Sequence, residues 1–283
     1  MFFLIFAIVF VLFVVIFLRW LRFRQVLSLF KKHSVIVYGE KGSGKDLLFS
    51  NVCSYRKLPY CSNVNYCENN NKAPIRYPFN PVYIKLGGNT YKNFMDNDII
   101  PYDYPLPDKV DYYISDAGVY FPSHADNELD KRYPEVPMFQ ALLRHLGDSE
   151  FHCNIQALDR LWKKIREQAG RYILCLDCKV DKKGRVVQKI RVYDRYQSAL
   201  DKVEPLKVRM PLFSTGAKTD IRLTRSTFRA KYGVIVDYTL RYKNKSKYDS
   251  RRFKRLLENG GEFPKIDKFN VCVQDIPAVD EVI

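Results

Sequence analysis

A short apolar run that ends in a glycine-rich turn leaves this chain few folds to choose from. Ser34-Val-Ile-Val-Tyr38 is uncharged and rich in β-branched residues, which reads as a buried parallel strand. It leads into Gly39-Glu-Lys-Gly-Ser-Gly44-Lys45-Asp46, and Leu47 to Tyr55 then reads as a helix. In a strand–GxxxxGK–helix unit the glycines let successive backbone amides converge on an anion. The helix start adds its positive end, and the lysine ammonium reaches the β- and γ-phosphates. The candidate phosphate contacts are therefore Gly39, Glu40, Lys41, Gly42, Ser43, Gly44, Lys45, Asp46 and Leu47, and ATP with Mg2+ is the expected ligand pair. A glycine-rich surface turn is the plain alternative, and the flanking strand and helix weigh against it. The position after the lysine normally offers a Ser or Thr hydroxyl to magnesium. Here it is Asp46.

Such a site also needs an acid at the end of a second apolar strand. Val110-Asp-Tyr-Tyr-Ile-Ser115 ends at Asp116. Two registers are open. Asp116 is the magnesium-side acid, or Ser115 takes that place and Asp116 stands where a water-activating carboxylate belongs. The second register carries a sharper expectation. Asp46 and Ser115 have exchanged carboxylate and hydroxyl between the two elements, so the metal site (Asp46, Ser115, Asp116) keeps one of each. The rival reading is a decayed site that binds nucleotide without hydrolysing it. A negative charge beside the phosphates is costly unless a cation offsets it.

The strand Phe151-His-Cys-Asn-Ile155 is followed by Gln156, placed to orient water or sense a γ-phosphate, with a loop-facing glutamine as the alternative. Arg144, Arg160, Arg166 and Arg171 are candidates for an arginine acting across a subunit boundary. For each singly, a solvated or salt-bridged arginine is the plainer reading. His33, His124 and His145 have no metal-binding companions. Cys175-Leu-Asp-Cys178 has the spacing of half a zinc site without a second half, and its seven cysteines are expected to be ordinary reduced thiols.

The remaining pattern alternates strands with helices: Pro81 to Leu86, Met138 to Leu146, a helical spacing from Leu158 to Ala169, and Arg171 to Cys178. A hairpin follows, turning near Lys182-Lys-Gly184. Polar stretches at Cys61 to Asn80 and Pro122 to Pro137 read as loops. The expected fold is α/β, a P-loop NTPase with a mostly parallel sheet and flanking helices. A small β-hairpin and irregular C-terminal extension completes it. Past Ser198 the periodicity fades, and Tyr238 to Arg255 is strongly basic with interleaved aromatics. That segment suits DNA contact, anionic lipid, or a solvated helix.

The chain has 283 residues and a formal charge of +16, which points to an anionic partner. None of that charge lies between Met1 and Leu18, which are almost entirely Phe, Leu, Ile and Val. As a helix, residues 1–21 would span roughly 30 Å, the thickness of a hydrocarbon core. Arg19, Arg22, Arg24, Lys31 and Lys32 follow, so a single-pass anchor with the rest of the chain cytoplasmic is expected. The expected organisation is anchor 1–21, basic connector 22–33, ATPase domain 34–197 and basic extension 198–283.

With these residues in place, the sequence resembles the zonula occludens toxin (Zot) family, the filamentous-phage (inovirus) morphogenesis ATPases. The resemblance is carried by Val35-Ile-Val-Tyr-Gly39-Glu-Lys-Gly-Ser-Gly-Lys45 and Ile114-Ser-Asp-Ala-Gly118. Leu143-Arg144-His145-Leu-Gly147, followed by Cys153-Asn-Ile-Gln156, narrows it further. The family often places its anchor after the ATPase core, whereas here it comes first. The resemblance implies an ATPase at the host inner membrane that assembles and extrudes a single-stranded DNA phage. It further implies a ring-like homo-oligomer that meets other phage assembly and coat proteins. By position, Lys45 and the glycines bind phosphate, Asp116 serves metal or water, and Gln156 is the strand-end polar group. A non-hydrolysing inner-membrane scaffold, or another DNA translocase or secretion ATPase, is the competing expectation.

Overall fold

The computed structural model describes residues 2–31, 34–67, 74, 76–78, 83–87, 90–93, 99–101, 109–132, 137, 140, 149–207 and 216–244. The chain begins with α1 (Phe2–Ser28), β1 (Ser34–Tyr38), α2 (Lys45–Arg56), β2 (Tyr60–Ser62) and β3 (Arg76–Pro78). Then come β4 (Tyr83–Gly87), β5 (Thr90–Asn93), β6 (Ile99–Pro101), β7 (Asp111–Ile114), α3 (Asp126–Arg132) and β8 (Phe151–Ile155). The rest comprises α4 (Lys163–Glu167), β9 (Arg171–Val180), β10 (Arg185–Tyr193), α5 (Tyr196–Leu200), α6 (Gly216–Tyr232) and β11 (Ile235–Lys243).

Eight strands form one sheet in the order β11-β10-β9-β1-β8-β7-β2-β3. From β9 to β3 every neighbouring pair is parallel, and β10 and β11 add an antiparallel edge. β1 lies inside, paired to β8 on one side and β9 on the other, and all five of its residues are buried. Its side chains alternate between two cores, as a two-residue period requires. Ile36 and Tyr38 join Trp162, Ile155 and Tyr172 on one face. Val35 and Val37 join Phe49, Val52 and Tyr113, under α2, on the other. Full burial of each such side chain contributes about 1.5–3 kcal/mol.

Several expectations change. The strand expected at Pro81 to Leu86 is β4, and it pairs with β5 and β6 in a separate antiparallel sheet. The loop expected from Cys61 to Asn80 holds two three-residue strands, β2 and β3, too short to show a period. The loop expected from Pro122 to Pro137 contains α3, whose polar surface hid its helical spacing. The helix expected over Leu158 to Ala169 shrinks to a 3-10 turn and the five-residue α4, because Leu161 is extended and bridges to Pro122. Only Gln140 of the helix expected at Met138 to Leu146 lies among the described residues. β11 falls beyond the expected domain boundary at 197, yet pairs with β10 over nine residues.

Among the described residues no helix is long and apolar enough to cross a membrane, so the expected anchor over residues 1–21 is not shown. What stands there is the first part of α1, with Phe6, Phe10, Phe13 and Ile16 exposed. α1 runs unbroken to Ser28, so the expected anchor and much of the connector share one helix. Its far end is locked to the core. Val26, Leu29 and Phe30 are buried, and Phe30 packs edge-on against Phe49 and His152. The Arg171 guanidinium donates to the Ser28 and Leu29 carbonyls at 2.7 and 2.6 Å, satisfying acceptors that a helix end leaves open.

Beneath this junction lies a buried ionic cluster. Arg56 pairs with Asp111 at 3.2 Å and with Glu150, and Glu150 also meets His152 at 3.0 Å. Burial raises the Asp111 carboxyl despite Arg56. Burial also works against Glu150, but hydrogen bonds from His152 and Arg56 prevail and hold it below its ordinary range. Removing one member of such a cluster strands the others. Arg56→Met is expected to destabilise the protein by about 3–5 kcal/mol, read as a lower thermal unfolding midpoint of the detergent-solubilised chain.

Candidate nucleotide site

The glycine-rich turn sits at the C-terminal end of β1 and opens α2. Two of its glycines are required by their surroundings. Gly39 has φ +146°, and a Cβ there would lie 2.5 Å from the Cys175 carbonyl oxygen. Gly44 has φ +86°, and a Cβ would lie 2.6 Å from Cys178 Sγ. The pair Cys175 and Cys178 thus forms part of the floor on which the loop rests. Lys45 is buried, and its ammonium donates back to the carbonyls of Gly39 and Glu40 at 2.9 and 3.0 Å. The Ser43 hydroxyl is buried with no partner among the described residues. An anion held by the loop would supply one.

Asp46 is the hub of the site. Its Oδ1 accepts from Ser115 Oγ at 2.7 Å, Asn154 Nδ2 at 2.7 Å and the Tyr66 hydroxyl at 3.1 Å. Of the two open registers, the geometry brings Ser115 to the Asp46 carboxylate. Asp116 follows at the strand end with φ +47° and an exposed side chain. Desolvation by the surrounding site raises its carboxyl, the charge of Asp46 raises it further, and Lys45 partly opposes both. One carboxylate and one hydroxyl side by side are hard oxygen donors, which suits magnesium completed by phosphate oxygens and water.

Tyr66, Asn154 and Asn63 were not anticipated as parts of the site. Asn154 is fully buried in β8. It donates to Asp46, and its Oδ1 accepts from the Asp116 amide at 2.9 Å. Asn63, just after β2, grips the Ser115 backbone from both sides, at 2.9 Å to its carbonyl and 2.8 Å from its amide. A signal for Asn154 was present: an amide in a wholly buried strand needs partners.

Gln156 lies past β8, the strand beside the phosphate-loop strand. Its carbonyl accepts from the Gly39 amide at 3.3 Å, and its side chain is exposed. It borders a pocket of about 500 Å3 whose walls include Gly39, Glu40, Leu174, Leu176 and Lys202. Arg166 and Arg171 are taken up by backbone carbonyls of their own chain, so neither is free to reach a neighbour. Arg160 is exposed. Arg144 and His145 lie outside the described residues.

The loop is also held from behind. Gln188, fully buried on β10, donates through Nε2 to the carbonyls of Ser43 and Gly44 at 3.2 and 3.0 Å. Its Oε1 accepts from the Tyr242 hydroxyl of β11 at 2.8 Å. Turning these carbonyls toward Gln188 leaves the loop amides free to face an anion. Gln188→Leu leaves two buried carbonyls unsatisfied, at about 1–3 kcal/mol each. Calorimetric titration with a non-hydrolysable ATP analogue is expected to show affinity at least about tenfold weaker, since about 1.4 kcal/mol is a factor of ten. Tyr242→Phe is expected to give a smaller loss in the same direction.

Together, strand, loop, lysine and adjacent acid strand on a mostly parallel sheet make this a P-loop NTPase fold. No protein-family model matches the chain, and no curated protein matches its sequence. In structure it is similar to the N-terminal domain of zonular occludens toxin from Neisseria meningitidis. That likeness has 11% identity and a TM-score of 0.39, over 79% of this chain and 97% of that one. It is also similar to the genome packaging NTPase B204 of Sulfolobus turreted icosahedral virus 2. With AMPPCP bound, that structure matches at 12% identity and a TM-score of 0.34, over 65% of this chain and 100% of the other. With AMP bound, it matches at 14% identity and a TM-score of 0.32, over 65% and 99%.

Proposed function

We propose that this chain is a membrane-anchored ATPase that drives assembly and extrusion of a filamentous single-stranded DNA phage. The observation that carries the ATPase reading is the constellation of Lys45 with Asp46, Ser115 and Asn154 at the C-terminal edge of a mostly parallel sheet. In this reading the loop amides and the Ser43 hydroxyl receive the phosphates. Lys45 leaves the Gly39 and Glu40 carbonyls for β- and γ-phosphate oxygens. Asp46 and Ser115 would hold magnesium, which would supply positive charge to offset the phosphates. Asn154 and Asn63 keep the two ligands and the Asp116 backbone in register. Asp116 takes the proton of the attacking water, and Gln156 orients that water from the pocket rim.

The exposed apolar side chains of α1 support the anchor, and the basic residues that follow support a cytoplasmic core at the host inner membrane. The pocket beside Gln156 opens to solvent, which suits a ring in which a neighbouring copy contributes an arginine. The phage assignment rests on the family resemblance of the motifs. A nucleotide-binding scaffold without turnover is the second reading, and Asp46 is the observation that favours it.

Magnesium-dependent ATP hydrolysis decides between them. Lys45→Ala is expected to abolish nucleotide binding. Asp116→Asn is expected to retain binding and lose turnover by at least a hundredfold, in line with general-base contributions of about 10²–10⁴. Asp46→Ser and Ser115→Asp are each expected to weaken magnesium-dependent binding, and the double variant to restore it. A double variant no better than the worse single one would remove the exchanged metal site. Absence of turnover in the unaltered protein, with and without single-stranded DNA, would leave the scaffold reading.

A further inference from the structure

The β9–β10–β11 edge has one covered face and one bare face. On the covered face Val186, Gln188, Ile190, Leu240 and Tyr242 are buried against α2 and the phosphate loop. The opposite face is covered only near its start. There Tyr172 and Tyr193 are buried, Tyr172 lies 5.9 Å from the Tyr196 ring of α5, and Arg191 is paired with Asp237. Farther along the strands nothing among the described residues lies over it.

The bare part is cationic, row by row. Lys179, Val187 and Arg241 stand directly across from one another on the three strands. Lys189 faces Thr239 on one side and Asp177 on the other, and Arg185 faces Lys243. Lys182 and Lys183 form the hairpin turn. These cations are exposed, and the neighbouring Val187 is 37% exposed. The carboxylates nearby are Asp177, 3.9 Å from Lys179, and Asp181, which pairs with Arg185. Among the described residues Lys182, Lys183, Lys189, Arg241 and Lys243 have no acidic partner.

The patch is far from the α1 junction. Arg171 holds the end of α1 at the start of β9, where Tyr193 pairs with Ile235. Arg185 pairs with Lys243 eight steps away, about 27 Å along the strands. It is instead level with the phosphate loop but on the opposite face of the sheet, because Cys178 and Gln188 reach that loop from the same stretch of β9 and β10. An anionic bilayer around α1 therefore meets the wrong end of the sheet. Three strands give a strip about 10 Å wide, enough for one polyanion strand. No aromatic side chain stands in the rows, so base stacking has no platform there.

We infer that this bare face binds the phosphodiester backbone of single-stranded nucleic acid, through charge and without base readout. The inference deepens the function proposed above by locating its polymer, but it needs no nucleotide in the loop. The test uses the full chain in detergent micelles and a fluorescent 30-residue oligothymidylate, followed by anisotropy between 50 and 200 mM NaCl. The triple variant Lys179→Ala, Lys189→Ala, Arg241→Ala is expected to bind at least about tenfold more weakly at low salt. Its slope of log affinity against log salt should be shallower by about 2, from roughly 0.7 per phosphate contact. Nucleotide-analogue binding and the thermal midpoint should not change.

An unchanged oligonucleotide affinity or slope overturns the inference. So does a loss confined to flotation with phosphatidylserine vesicles, which assigns the face to lipid. If the triple variant also loses nucleotide binding, Arg241→Gln alone decides, with a slope change of about 0.7 expected and no change overturning the inference. Oligonucleotide binding that depends on this face in a protein that binds no ATP upholds the inference and sinks the ATPase reading.

Discussion

One carboxylate oxygen organises the phosphate-loop edge of this protein. Asp46 Oδ1 accepts from three donors carried on three separate stretches of chain: Tyr66 after β2, Ser115 after β7 and Asn154 in β8. A negative charge next to a phosphate-binding loop is tolerated only when it is compensated. Compensation by three converging donors fixes β7 and β8 to the first turn of α2. The loop that precedes Asp46 is then held at both ends, by this hub in front and by Gln188 behind. The same oxygen that makes the motif unusual also ties the elements around it together.

The hub changes how Asp46 should be regarded. Read alone, a carboxylate in place of a hydroxyl looks like damage. With Ser115 Oγ at 2.7 Å, the exchange proposed above makes it half of a pair in which each position holds the group usual at the other. In that proposal the pair keeps one carboxylate and one hydroxyl although each residue is unusual at its position. Asp116 then lies one residue beyond the pair. Its carboxyl is raised by desolvation and by Asp46, so it holds a proton more readily than an isolated aspartate.

Much of this was legible in the sequence where patterns are local and long. β1, the loop and α2 announce themselves by composition, and β9 and β10 by a hairpin with a glycine turn. Three kinds of feature were hidden. Strands of three residues, such as β2 and β3, have no period to detect. Buried amides, such as Asn154 and Gln188, look like polar exceptions until a partner from another strand is in view. Gln188 was nonetheless marked by its place in the alternation Val186, Gln188, Ile190. In β11 the charge run distracted from an equally regular alternation, with Tyr238, Leu240 and Tyr242 inward and Asp237, Thr239 and Arg241 outward.

The join between α1 and the core has a mechanical meaning. A flexible linker transmits tension and nothing else. Here α1 ends with its last carbonyls gripped by Arg171 and with Phe30 wedged against Phe49, a residue of the helix that begins at the phosphate loop. Such a joint resists twisting as well as pulling. A displacement of α2 therefore reaches the end of α1 through the Phe49–Phe30 contact, which a slack tether would not transmit.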